Sequence, residues 1–209
     1  MQYCQLKEQK NMKATLLTFG LLITTALTYG QTVSASDYFM FKKDVKYYYK
    51  ALGLDGTNKV PEMSYHCFGV KNNNGKIEGM FYFNTQYGSQ IREIYKSSGN
   101  TIQMTYSKNS FGGGDINPPN PIFKLPEGSE KIEWSWGDSN YSAQYLTSIK
   151  IKNDTYNDLV VVTEGSDPEY EMGTTKKFYA KGIGLVKIEF YDENEELFEF
   201  MSFDLVKYE

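Results

Sequence analysis

The sequence predicts an all-β fold of antiparallel sheets, a sandwich or an open half-barrel, and three observations carry that expectation. Apolar residues recur at period two through most of the chain after Tyr38, which places alternate side chains on opposite faces of a strand. Turn residues interrupt these runs at short intervals, as hairpins require. Tyr (18) and Phe (13) supply most of an aromatic content of 16%, and aromatic side chains pack well on a pleated surface. A chain of 209 residues is long enough to bury a core of its own.

The first segment reads as a targeting signal rather than as part of the fold. Lys13 precedes an apolar run from Ala14 to Tyr29, and small or polar residues follow at once. Residues 1–30 are therefore expected to be a cleavable signal peptide, with the polar residues ahead of Met12 as an upstream extension. Cleavage fits after Gly30 and after Ala35, and the first is preferred. The run is short for a span, and Cys4 does not stand at its end, where a lipid-modified cysteine would have to be. The expectation is a secreted or periplasmic protein with no stable membrane anchor. Residues 31–209 then form a single all-β domain whose one cysteine, Cys67, allows no internal disulfide. The net charge of -4 becomes more negative when the three lysines and one glutamate of residues 1–30 are removed, which argues against nucleic acid as a partner.

The elements follow in order from an aromatic-rich strand over Val45 to Lys50, in which Tyr47 and Tyr49 share a face. Met63 to Val70 extends next, and Asn72-Asn73-Asn74-Gly75 turns the chain. Ser97-Ser98-Gly99-Asn100 leads into Thr101 to Ser107, where Ile102, Met104 and Tyr106 oppose Thr101, Gln103 and Thr105. Residues 109–128 are so rich in Gly and Pro that they read as a long loop dividing the domain into halves, with every proline outside the alternating runs. A degenerate duplication and a loop between two sheets both account for it. The second half opens on Lys131 to Trp136, the clearest alternation of all, with Ile132, Trp134 and Trp136 on one face. Ile149 and Ile151 alternate with Ser148, Lys150 and Lys152, and turns follow at Asn153-Asp154, Ser166-Asp167-Pro168 and Asp192 to Glu195. The pattern yields roughly ten strands.

The segment Phe178 to Lys187, with its Tyr179-Ala180-Lys181-Gly182-Ile183-Gly184-Leu185-Val186-Lys187 core, and the closing Phe203 to Tyr208 resemble a signature of uncharacterised secreted bacterial β-rich proteins. Tyr38 to Tyr49 and Leu125-Pro126-Glu127-Gly128 correspond more loosely, and Asn153-Asp154 departs from the Ala-Gly of many relatives. The resemblance implies an exported β domain and brings no catalytic residue with it. On physical grounds, Gly182 and Gly184 two apart in a strand mark a bulge or sharp bend, or a close approach to a ligand.

Few residues suggest chemistry. His66 is the only histidine, and strand geometry sends its side chain away from the adjacent Cys67, so it cannot activate that thiol. The acidic residues gather in turns, Asp192 to Glu196 and Asp167 to Glu171, as solvated loops do. No catalytic residue, metal site or cofactor is expected. Trp134 and Trp136 on one strand face, and Tyr47 and Tyr49 on another, are candidate ligand-binding residues as well as candidate core. The resulting expectation is an exported, non-enzymatic β domain that binds a small apolar or carbohydrate ligand. Its alternatives are a structural envelope-associated protein and a carboxylate-dependent hydrolase. The oligomeric state is not readable from these residues.

Overall fold

Twelve strands follow one another around a single antiparallel sheet. The structure is a computed structural model that describes residues 33–52, 62–85, 88–166 and 173–209. Residues 1–30, expected to be a signal peptide, the turn at Asp167-Pro168 and the carboxylates Glu169 and Glu171 lie outside the described residues. The first six strands are β1 (Lys46–Ala51), β2 (Glu62–Asn73), β3 (Lys76–Asn84), β4 (Gln90–Ser98), β5 (Thr101–Asn109) and β6 (Gly112–Lys124). The second six are β7 (Ile132–Trp136), β8 (Ser139–Ile151), β9 (Asp154–Ser166), β10 (Thr174–Ala180), β11 (Gly184–Phe190) and β12 (Phe203–Tyr208). Each strand except β6 pairs with the next, and β12 returns to pair with β1, Tyr49 facing Leu205. The ring is interrupted between β6 and β7, so the sheet is a barrel that is nearly closed. The all-β expectation holds, with twelve strands rather than about ten and one curled sheet rather than two stacked ones.

Alternation sets which side chains fill the barrel. Tyr47 and Tyr49 point inward from β1 and are fully buried, while Lys46 points out. The hairpins turn where expected: Asn74 and Gly75 adopt φ of 52° and 81°, the positive values a two-residue hairpin needs. The Gly/Pro-rich stretch expected to be a loop over 109–128 is instead, from Gly112 to Lys124, an edge strand. Pro118, Pro119 and Pro121 have no N–H to donate, which an edge strand paired on one side tolerates. Register shifts against β5, between Ile102 and Gln103 and between Met104 and Tyr106, absorb the irregular residues. The chain passes from the first six strands to the second over residues 125–131 only.

One end of the barrel is stoppered by the segment ahead of β1. A 3-10 turn, Ala35–Tyr38, begins where the backbone N–H of Ser34 donates to Asp37 Oδ2 at 2.8 Å. Ala35 N–H donates to Gly99 O at 3.3 Å, and Gly182 N–H donates to Asp37 O at 2.6 Å, tying the turn to the β4–β5 and β10–β11 hairpins. Phe39 then enters the core edge-on to Tyr95 at 5.1 Å and stacked on Tyr179 at 5.9 Å. Gly184 explains the two-glycine motif. It adopts φ of +110°, and a Cβ there would stand 2.4 Å from Met40 Cγ. The close approach is therefore to the chain's own stopper, and only glycine permits it.

The interruption between β6 and β7 is bridged by side chains in place of a backbone ladder. Trp134 Nε1 donates to Pro121 O at 2.6 Å, and Trp136 Nε1 donates to Pro118 O at 3.3 Å. Both acceptors belong to the proline-bearing edge. Ser34–Glu209 forms one compact unit, and no helix among the described residues is long and apolar enough to cross a membrane.

Candidate functional site

Inward-facing positions of neighbouring strands place a belt of polar groups around the barrel interior. On one side of the seam Tyr95 of β4 faces Met104 of β5, which faces Asn120 of β6. On the other side Trp134 of β7 faces Tyr141 of β8, which faces Glu164 of β9. Directly opposed residues of an antiparallel pair share a face, so these six side chains meet across the interior. Asn120 Nδ2 lies 3.5 Å from the Tyr141 hydroxyl, a long contact that spans the seam. A partly open cavity of about 150 Å³ lies there, bordered by Phe39 and Met40 and lined further by Tyr65, Glu93, Lys177 and Tyr179.

The belt holds two carboxylates whose proton affinities are shifted in opposite directions. Burial pushes the Glu93 carboxyl above its ordinary value, against the pull of the Tyr95 hydroxyl, which donates to Glu93 Oε2 at 2.5 Å, and of the more distant Lys177 charge. Desolvation also acts to raise Glu164. There, however, Lys177 Nζ donates to Oε2 at 3.1 Å and the Tyr141 hydroxyl to Oε1 at 2.8 Å, and together they lower it below the ordinary value. Glu93 is thus biased toward its neutral acid and Glu164 toward its anion, because a cation contacts only the second. Tyr65, Tyr95 and Tyr179 are raised by burial and stay protonated donors. Asn120 is 6% exposed, and its Oδ1 has no hydrogen-bond partner. A buried amide oxygen without a donor is unfavourable, and Asn120 is among the residues around the cavity.

None of the four aromatic residues singled out from the sequence lines this cavity, although Trp134 belongs to the belt. Trp134 is 8% exposed and stacks on Tyr141 at 5.4 Å and 6°, directly behind the cavity wall. Its face also borders an open depression on the barrel exterior with Lys131, Ser135 and Thr163. That depression is larger, and its one buried titratable group is Tyr141, which also lines the cavity. Trp136 is partly buried at the seam. Tyr49 donates its hydroxyl to Leu185 O at 2.9 Å. Tyr47 stacks on Tyr208 at 5.7 Å, and its buried hydroxyl has no partner. Neither tyrosine is among the described residues that line the cavity.

His66 and Cys67 point to opposite sides of β2, as strand geometry requires. Cys67 is fully buried, its thiol pushed up to about 11 by burial, so it is a weak nucleophile. Asp192 accepts the N–H groups of Asn194 and Glu196 at 2.9 and 2.8 Å and shapes the connection between β11 and β12. Among the described residues no three or more His, Cys, Asp or Glu side chains gather as a metal site would need. The sequence reading missed Glu93, Asn120, Glu164 and Lys177. A signal for Glu164 existed, since Val160, Val162 and Glu164 share one parity of β9 and the two valines are buried.

No family model and no curated protein matches the sequence. Two solved structures are similar. One is a Bacteroides fragilis protein described as exported, with a YmcC-like fold, at 13% identity and a TM-score of 0.51, covering 85% of this chain and 100% of that one. The other is a Parabacteroides distasonis protein described as a lipoprotein, at 14% identity and a TM-score of 0.47, covering 86% of this chain and 100% of that one. The nearly closed antiparallel barrel of this chain has a YmcC-like fold.

Proposed function

We propose that this chain is an exported, non-enzymatic β domain that holds a small carbohydrate in the barrel interior. The observation that carries the reading is the unpartnered Asn120 Oδ1 at the edge of a cavity lined by tyrosines and by Glu93, Glu164 and Lys177. Aromatic faces beside fixed donors and acceptors suit a ring that is apolar on its faces and hydroxylated at its rim. A sugar hydroxyl would supply the donor that Asn120 Oδ1 lacks. The volume of about 150 Å³ is below the roughly 300–1,000 Å³ of drug-sized sites, which favours a single sugar over a lipid. Export rests on the signal-like residues 1–30.

The experiment is calorimetric titration of the purified domain with a panel of neutral monosaccharides. One of them should bind, and Asn120→Ala should weaken it by about tenfold, the loss of one buried hydrogen bond. Binding of a fatty acid in place of every sugar would overturn the ligand class. Turnover of a glycoside that disappears in both Glu93→Gln and Glu164→Gln would overturn the non-enzymatic reading, because the two carboxylates would then be working as acid and base.

A further inference from the structure

The outer face of β1 to β5 carries a second site, unconnected with the cavity. Backbone register places Lys46 opposite His66, His66 opposite Tyr82, Tyr82 opposite Arg92, and Arg92 opposite Lys108. These five residues form one row across five strands. Their chain neighbours Tyr47, Cys67, Phe81 and Glu93 are buried inside the barrel, so the row faces outward. At about 4.8 Å between strands the row is about 19 Å long. Three of its five members are cations, on a chain of net charge -4.

The rows on either side differ in kind. Above it Ser64, Asn84 and Gln90 are linked through their side chains: Asn84 Nδ2 donates to Ser64 Oγ at 3.1 Å and Gln90 Nε2 to Asn84 Oδ1 at 3.1 Å. Below it Phe68 stacks on Tyr82 at 4.3 Å and 21°. Arg92, the only arginine of the chain, lies between two rings, 5.9 Å from Phe68 and 5.7 Å from Tyr106. Among the described residues neither Arg92 nor Lys108 is paired with a carboxylate. Further down, Glu78 is taken up between Lys71 at 3.7 Å and Lys96 at 3.2 Å, and Glu209 feels the charge of Lys46 at the far end of the row.

We propose that this face binds an acidic glycan, a chain of uronic-acid sugars lying along the row. The rings of Phe68 and Tyr82 offer flat apolar surface to sugar faces. The amide row offers donors and acceptors to hydroxyls. Arg92, beside its two rings, carries a planar fork that matches a carboxylate in two bonds. Lys46 and Lys108 extend the positive field to both ends of the row. A nucleic acid would need a far more basic surface, and the hydroxyl-binding amide row has no use against a bare lipid phosphate.

The test uses oligogalacturonate as the probe, a neutral cello-oligosaccharide as the control, and vesicles of phosphatidylcholine and phosphatidylglycerol as a third arm. Oligogalacturonate should bind, more weakly as ionic strength rises, and the neutral oligomer should not. Arg92→Gln and Tyr82→Ala should each weaken binding by about tenfold, and Arg92→Lys should not restore it. Arg92 is exposed and Tyr82 half-buried, so Arg92→Gln should melt at the parent temperature and Tyr82→Ala, which loses its stacking on Phe68, somewhat below it, each in one cooperative transition that shows that it folds. Asn120→Ala should bind the probe as the parent does, which separates this face from the cavity. Equal binding of the neutral oligomer, capture by the vesicles without the glycan, parent-like binding in Arg92→Gln and Tyr82→Ala, or a loss caused by Asn120→Ala would each overturn the proposal.

Discussion

Replacing Gly184 by alanine should unfasten the stopper from the barrel. Two separate effects add. At φ of +110° an alanine sits in a backbone region that costs about 1–3 kcal/mol for a residue with a Cβ. The new methyl would also stand 2.4 Å from Met40 Cγ and 3.4 Å from Met40 Cα, and forcing such a contact in a packed core costs about 1–3 kcal/mol more. The sum is about 2–6 kcal/mol. Met40→Ala is expected to cost about 2–5 kcal/mol by leaving a cavity, since Met40 is 1% exposed and its sulfur lies 3.4 Å from the Tyr49 hydroxyl. In the double variant the contact disappears while the backbone strain stays. Its total should therefore fall short of the sum of the singles by about 1–3 kcal/mol. Urea unfolding followed by tryptophan fluorescence measures all four corners of the cycle. A Gly184→Ala loss under about 0.5 kcal/mol, or strict additivity with Met40→Ala, would refute the reasoning.

Two further outcomes are expected. Glu93 has its folded value raised from 4.5 by burial, so its favourable contribution is complete below that ordinary value and is lost as pH rises through the folded one. Glu93→Gln should flatten this decline and melt above the parent at neutral pH, and a variant less stable at every pH would contradict it. Glu164, lowered from 4.5, works in the opposite sense, stabilising above its ordinary value and failing as pH falls. The processed chain should begin at Gln31, read by mass spectrometry of the exported protein. A start at Ser36 would sacrifice Ala35, fully buried with its N–H on Gly99 O, and the Ser34 N–H that donates to Asp37.

Period-two patterning made the strands legible wherever one face is dry. Lys131 to Trp136 became β7 with the expected faces, and Thr101 to Ser107 became β5 with Ile102 and Met104 inward, whereas a bulge at Thr105 turns Tyr106 to the outer face. Patterning failed at one edge, β6, which carries three prolines and three glycines that an edge strand tolerates because half of its backbone groups need no partner in the sheet. The stopper was illegible for a different reason. Ala35 to Phe41 is too short for any period, and its burial follows only from the barrel end it fills. The cavity escaped because Glu93, Glu164 and Lys177 are charged residues at inward positions. A reading that assigns charge to the wet face inverts them, and only their strand partners reveal the error.

The proline-bearing seam has a consequence for how copies of this chain meet. A sheet that stops short of closure exposes two free edges, and free edges recruit strands from other molecules. On β6 the imino nitrogens of Pro118, Pro119 and Pro121 deny an incoming strand its acceptor bonds, while the carbonyls of Pro118 and Pro121 are already engaged by indole N–H groups. The same residues that leave the ring open thus make the β6 edge a poor template for a strand from a neighbouring molecule.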